Sequence, residues 1–341
     1  MKRIFLLTVS LLYVFAAGAQ QWHTAIDVLR PGAKQFPVGI TDLLIVNNTV
    51  LQPADLGHAI LQDGNPSAGG HADVDLAQAP LRVLFAVAER FDDSGLFASA
   101  GLYPISANSG TFFNRSYLTA EQVAQLCTDY SSDAVLALDQ VVLYDRVESY
   151  LNENERYYAY LQAYGTLHWT LHWPDGRRQV FAYADTLLWD HVSSDRGKAL
   201  EALPERQTAL LDMAAYMGER FAAQFVPEWE KEDRWIYHTA DPQLEQAFSL
   251  FTRRRFADAA ALWQQAAGES SVALVRAYAA ADAAVALELS DDLDNAAIWA
   301  RRAAAEFGKQ TFAEALQQQI NMEWYADRLQ ERRKEKKLLL R

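Results

Sequence analysis

Cysteine occurs once in this 341-residue chain, at Cys127, so no intramolecular disulfide can form. Thr119 with Gln122 three positions on reads as a capping box. Val123, Leu126, Cys127 and Tyr130 then fall at i, i+3, i+4 and i+7, the buried face of a helix, so Cys127 is expected to be a core residue. Basic charge is also short. The 31 Lys and Arg against 44 Asp and Glu leave a net charge of −13, which argues against nucleic-acid binding. Beyond the N-terminus, no apolar run approaches bilayer-spanning length. Catalytic signatures are missing too: no G-x-S-x-G, no H-E-x-x-H, no Gly-rich phosphate loop with lysine. No catalytic residue, cofactor or metal site is therefore assigned, and the chain is read as not an enzyme.

Half of the chain is apolar and 22% is charged, the composition of a folded protein. Lys2 and Arg3, the apolar run Ile4 to Ala17 and the small residues Ala17-Gly18-Ala19 form a secretory signal peptide over 1–19. An exported protein of the periplasm or cell envelope is the expectation. No cysteine follows the cut to take a lipid.

Residues 42–47, DLLIVN, predict a short strand, 80–91 a helix opened by proline, LFASAGLYP a strand, 119–130 the capped helix, and 133–145 a central strand. Between them, Asp63, Asn65 and Ser67 alternate like a calcium loop. Ala68 and Val74 stand where glycine and glutamate are needed, so 57–80 reads as a surface loop.

Next come strands without helices. Leu167, Trp169, Leu171 and Trp173 alternate with Thr166, His168, Thr170 and His172. Phe181, Tyr183, Leu187 and Trp189 alternate likewise, and Pro174-Asp175-Gly176 closes the hairpin. His168 and His172 share one strand face, opposite a Trp/Leu/Trp face that must be buried. With no third ligand nearby they make a poor zinc site, and they are expected to be solvated or helix-covered. A helix over 205–225 follows, in which Gly218 allows close contact with the sheet. PEWEKEDRW, 227–235, is read as a charged junction.

The last third is alanine-rich and helical. RFADAAALWQQAAG and DLDNAAIWARRAAA align Phe256 with Leu293, Ala259 with Ala296, Trp263 with Ala300 and Ala266 with Ala303. The 37-residue offset is close to that of a tetratricopeptide repeat. A last helix carries Phe312, Leu316, Ile320 and Trp324, expected to cap the repeats. It ends in RLQERRKEKKLLLR, a tail able to touch an anionic membrane peripherally.

The expected fold class is α+β. The domains are a signal peptide (1–19), an N-terminal α/β sandwich-type domain with a mixed sheet (20–228), an all-α tetratricopeptide-like helical domain (236–330) and a basic tail (331–341). Phe256, Trp263, Trp229 and Trp235 are the candidate protein-binding or domain-interface residues, with the junction around Trp229 and Trp235 as the docking point.

Ile26 to Pro31, "YSSDAVLALD" at 130–139, Asp185 to Trp189, Pro227-Glu228-Trp229 and the helices from Pro242 resemble an uncharacterised secreted and lipoprotein-type family of Bacteroidota. The first domain also looks loosely like curli-secretion and penicillin-binding-protein-activator lipoproteins. The resemblance implies an α/β domain joined to tetratricopeptide-like helices and names no catalytic residue. The expected function is a non-enzymatic scaffold that binds an envelope protein or peptide through its repeats. The alternatives are an envelope hydrolase, or a glycan binder on the strength of nine tryptophans.

Overall fold

The computed structural model describes residues 20–66 and 74–339. The signal peptide at 1–19, part of the 57–80 loop and the last two tail residues lie outside the described residues. In chain order the elements are β1 (Gln20–Arg30), β2 (Asp42–Asn47), β3 (His58–Gln62), β4 (Asn65–Pro66), α1 (Ala79–Ser94), β5 (Ser99–Tyr103) and α2 (Ala120–Tyr130). Three long strands follow, β6 (Ala134–Leu151), β7 (Tyr157–His172) and β8 (Arg178–Ser193), then α3 (Arg196–Glu201), α4 (Arg206–Ala223) and β9 (Glu228–His238). The chain closes with α5 (Pro242–Thr252), α6 (Phe256–Glu269), α7 (Ala273–Leu289), α8 (Leu293–Phe307) and α9 (Ala313–Leu339). An N-terminal mixed sheet followed by an all-helical region is the architecture expected from the sequence.

Two units divide the chain: residues 31–227, and residues 228–341 together with the segment up to Arg30. In the sheet unit, β2 runs parallel to β5 and to the first half of β6. The second half of β6 runs parallel to β3, and the hairpin β6–β7–β8 is antiparallel. One face packs on α1 and α4 through Leu43, Ile45, Leu136, Leu167, Trp169, Leu171, Met213 and Phe221. On the other face a smaller cluster of Leu44, Val46, Val135 and Ala137 packs on Val123 and Cys127 of α2. The Thr119–Gln122 capping box is formed, and Cys127 is buried. A Cβ on Gly218 would meet the Val83 carbonyl oxygen of α1 at 2.5 Å. Gly218 therefore serves a helix-to-helix contact. The close approach of α4 to the sheet is made by Gly165 of β7, where a Cβ would meet Met217 Sδ at 2.0 Å.

In the other unit, β1 pairs antiparallel with β9 along their whole lengths. The 227–235 segment, read as a junction, is therefore mostly strand, and residues 20–30 belong with the helices. Glu230, Glu232 and Arg234 are in ion pairs. Arg30 bridges Glu230 and Glu232, and the buried Arg234 binds Glu288 through Nε at 2.6 Å and Nη2 at 2.8 Å. Helices α5 to α9 follow, with α7 buried nearly all round by alanine. A helix apolar on every side sits inside its unit. No helix among the described residues is long and apolar enough to cross a membrane.

Candidate functional site

The sequence-derived candidates separate. Trp263 is fully buried, its ring 5.6 Å from that of Phe251, and Phe256 packs 5.3 Å from the same ring. Both are core groups of the helical unit. Trp235 is also enlisted by this core, its ring 6.4 Å from Tyr325 and its Nε1 donating to Tyr237 Oη at 3.1 Å. Trp229 is 69% exposed. Three of the four are thus structural and only Trp229 presents a free face.

The surface the sequence missed lies on α9. Phe312, Leu316, Ile320 and Trp324 were expected to face inward, and they are 42, 58, 52 and 56% exposed. The buried stripe of α9 is instead Ala315, Met322, Tyr325, Ala326 and Leu329. The small residues Ala296, Ala300, Ala303 and Ala304 of α8 leave room for Met322, Tyr325 and Leu329 of α9. Tyr325 Oη donates to the buried Glu288 carboxylate, so the Phe312–Trp324 stripe turns outward. Four large apolar side chains thus stand exposed at four-residue spacing over about three turns. α9 runs to Leu339, and Arg328, Arg332, Arg333 and Lys336 are all in ion pairs, with Glu232, Glu288, Asp294 and Asp291 among their partners. Those four cations are committed within the unit and leave less charge for a membrane.

A groove of about 520 Å³ runs along the free edge of β1, lined by Trp22, Thr24, Asp27, Phe251, Arg254 and Phe256 among others. It opens a second face of the same unit.

The sheet unit holds two buried polar constellations. Asp139 alternates with Val135 and Ala137, the partners of His172 and Thr170, and so lies on the face that carries His168, Thr170 and His172; the register shifts at a bulge between Leu138 and Gln140. Thr170 Oγ1 donates to Asp139 Oδ2 at 2.6 Å, and Asn48 Nδ2 donates to Oδ1 at 2.8 Å. Burial pushes the Asp139 carboxyl up to about 6 against the pull of those donors and of Arg115 and Arg178. Burial, then Arg178, pushes His172 down to about 4, while burial and Arg115 lower His168. His172 is buried and His168 half-buried, on the face opposite Trp169, so neither is a freely solvated side chain. Asp145 is the second centre, with His58 Nδ1 2.6 Å from Oδ1 and Arg206 Nε donating to Oδ2 at 2.6 Å. Burial works to raise the Asp145 carboxyl, and the bonds from His58 and Arg206 outweigh it and hold it below the usual range. Among the described residues no group of three or more His, Cys, Asp or Glu is placed to hold a metal. None of these partners was readable in the sequence, since Asn48 and Asp139 lie 91 residues apart.

No curated protein matches the chain. Among solved structures it is similar to one assigned as a homolog of neuraminyllactose-binding hemagglutinin from Helicobacter pylori. That match has 10% identity, covers 56% of this chain and 85% of that one, and has a TM-score of 0.28. It is also similar to a Xanthomonas campestris protein of family model DUF330 (14% identity, 56% and 90% covered, TM-score 0.21). A lipoprotein of Neisseria meningitidis gives 10% identity, 53% and 98% covered, TM-score 0.18. The family model described as a domain of unknown function, DUF6340, matches residues 245–331, the helices from α5 into α9. A second model with the same description, DUF8603, matches residues 40–237, more than half of the chain. The chain belongs to the DUF8603 family.

Proposed function

We propose that this is a non-enzymatic, exported cell-envelope protein whose helical unit binds another envelope protein or a peptide in a scaffold or assembly role. The observation that carries the reading is the outward stripe of Phe312, Leu316, Ile320 and Trp324 on α9. An apolar helix face of that length suits a partner's helix or an amphipathic peptide. The tetratricopeptide-like reading agrees with α6 and α8, where the aligned Ala259/Ala296, Trp263/Ala300 and Ala266/Ala303 are all buried. Stacked helical repeats present extended binding surfaces. The polar centres fit a structural role, because both oxygens of Asp139 and of Asp145 already have protein donors. Export rests on the N-terminal pattern of the sequence.

Crosslinking in intact cells followed by mass spectrometry tests this. The wild type is expected to capture one dominant envelope protein, and Leu316→Asp with Ile320→Asp is expected to lose it while still folding. An unchanged capture, or a covalently trapped substrate in its place, would contradict the reading. A glycan-binding role has one observation in its favour: Tyr144, Tyr150 and Tyr164 are exposed on the open face of β6 and β7. Glycan binding lost in Tyr164→Ala and kept in the α9 variant would favour that second reading.

A further inference from the structure

The outer edge of β8 is a long row of backbone groups with no strand beside it among the described residues. β8 pairs only with β7, over sixteen positions with no register shift. Unpaired edges recruit other strands, and proteins blunt them with lysine, proline, bulges or shortness. β8 has no lysine, proline or bulge in RQVFAYADTLLWDHVS, and the Thr186 N–H is taken by the neighbouring Asp185 carboxylate at 2.8 Å. Of the other edges, β5 and β4 are short, on β9 the Tyr237 N–H is taken by the buried Asp282 carboxylate at 2.8 Å, and the free edge of β1 is the wall of the groove described above.

The side chains along this edge select one occupant. The open face of β8 carries Arg178, Val180, Ala182, Ala184, Thr186, Leu188 and Asp190. Laid antiparallel on itself about a two-fold axis at Ala184, the strand sets Arg178 opposite Asp190. The same register sets Val180 opposite Leu188, Ala182 opposite Thr186, and Ala184 opposite its own copy. Directly opposed residues on one face of an antiparallel pair interact, and opposite charges favour the pairing. Val180 and Leu188 are 51% and 55% exposed, the large apolar side chains this strand leaves open, and they are the two that meet. On the other face Phe181 meets Leu187, and Tyr183 meets Asp185. Arg178 lies with its guanidinium carbon 4.5 Å over the Tyr117 ring, a stacking that leaves its N–H edge for a carboxylate. We propose that β8 is the interface for a second copy of this chain, joined through Ala184 into a continuous two-fold sheet. Such an isologous contact is self-complementary, each pair occurring twice.

Sedimentation of the chain from Gln20 onward, which retains every described element, tests this. A dimer is expected at micromolar concentration. Arg178→Asp and Asp190→Arg singly should each weaken it about ten-fold, since each places like charges opposite twice per dimer. Combined, they should restore it. Ala184→Cys should form a disulfide to its own copy under mild oxidation and Ala182→Cys should not, the buried Cys127 of the wild type serving as the unreactive control. All four substitutions are at exposed positions, and circular dichroism checks that each variant folds. A monomer at every concentration, a dimer indifferent to the single charge changes, or a double variant that stays dissociated overturns the proposal.

Discussion

The sheet unit and the helical unit fill their interiors with different proportions of large and small side chains. Around β6 and β7 the core is made of large side chains, with Trp169 stacked 4.9 Å on Phe221 and Phe36, Phe91, Phe97 and Phe225 in edge contacts nearby. Around α7 it is made of alanine. Helices that meet through methyl groups sit close, and the bulk of this core is confined to a few side chains such as Trp263, Phe307 and Tyr325. In the sheet unit a large apolar residue on a patterned face is a core residue. On α9 of the helical unit Met322, Tyr325 and Leu329 are buried while Phe312, Leu316, Ile320 and Trp324 stay exposed, so bulk alone does not say which face is core.

That contrast can be broken by substitution. The largest effect is expected from Trp169→Ala, which should cost about 3–5 kcal/mol in denaturant melts as a large-to-small core change. Ala280→Leu in α7 should cost about 1–3 kcal/mol by overpacking a site that is fully buried. A neutral result would mean that the alanine core is loose. The buried polar centre should give a pH signature. The Asp139 carboxyl, raised to about 6 in the folded chain, contributes stability that is present below its ordinary value near 4 and lost as pH rises through 6. His172, lowered to about 4, does the reverse: its contribution is present above about 6.5 and lost as pH falls toward 4. Urea melts from pH 4 to 7 should therefore show Asp139→Asn reducing the loss on the alkaline side and His172→Gln reducing the loss on the acid side. Two variants that track the wild-type profile would remove both groups from the account. Smallest of all, His168→Ala, Leu316→Ala and Ile320→Ala should each stay within about 0.5 kcal/mol of the wild type. A loss of 2 kcal/mol or more at Leu316 or Ile320, the usual range of about 2–5 for a core truncation, would return the stripe to the core.

The sheet was legible wherever one face is buried and the other is not. Leu167, Trp169 and Leu171 alternate cleanly, and the 174–176 turn residues close their hairpin, with Gly176 at φ +87°. The strands were read too short because the open face carries Tyr144, Arg146, Glu148, Tyr160 and Tyr164, whose polar ends blur the alternation. β9 was read as a junction because its charges look solvated, when Arg30 and Glu288, far off in sequence, neutralise them. The Asp139 centre depends on loop residues such as Asn48, whose Nδ2 also donates to the Ser116 carbonyl at 2.9 Å, and no local pattern announces them. On α9 the periodicity of the bulky residues was correct and their direction was inverted. Periodicity defines a face without saying which neighbour meets it.

A photoreactive amino acid placed at Ile320, with Asp327 as the control position on the same helix, tests the central claim most directly. Irradiation of intact cells should give a discrete adduct between this chain and another protein from position 320 and none from position 327. No adduct from position 320, or the same adducts from both positions, would contradict the assignment of the α9 stripe as the binding face.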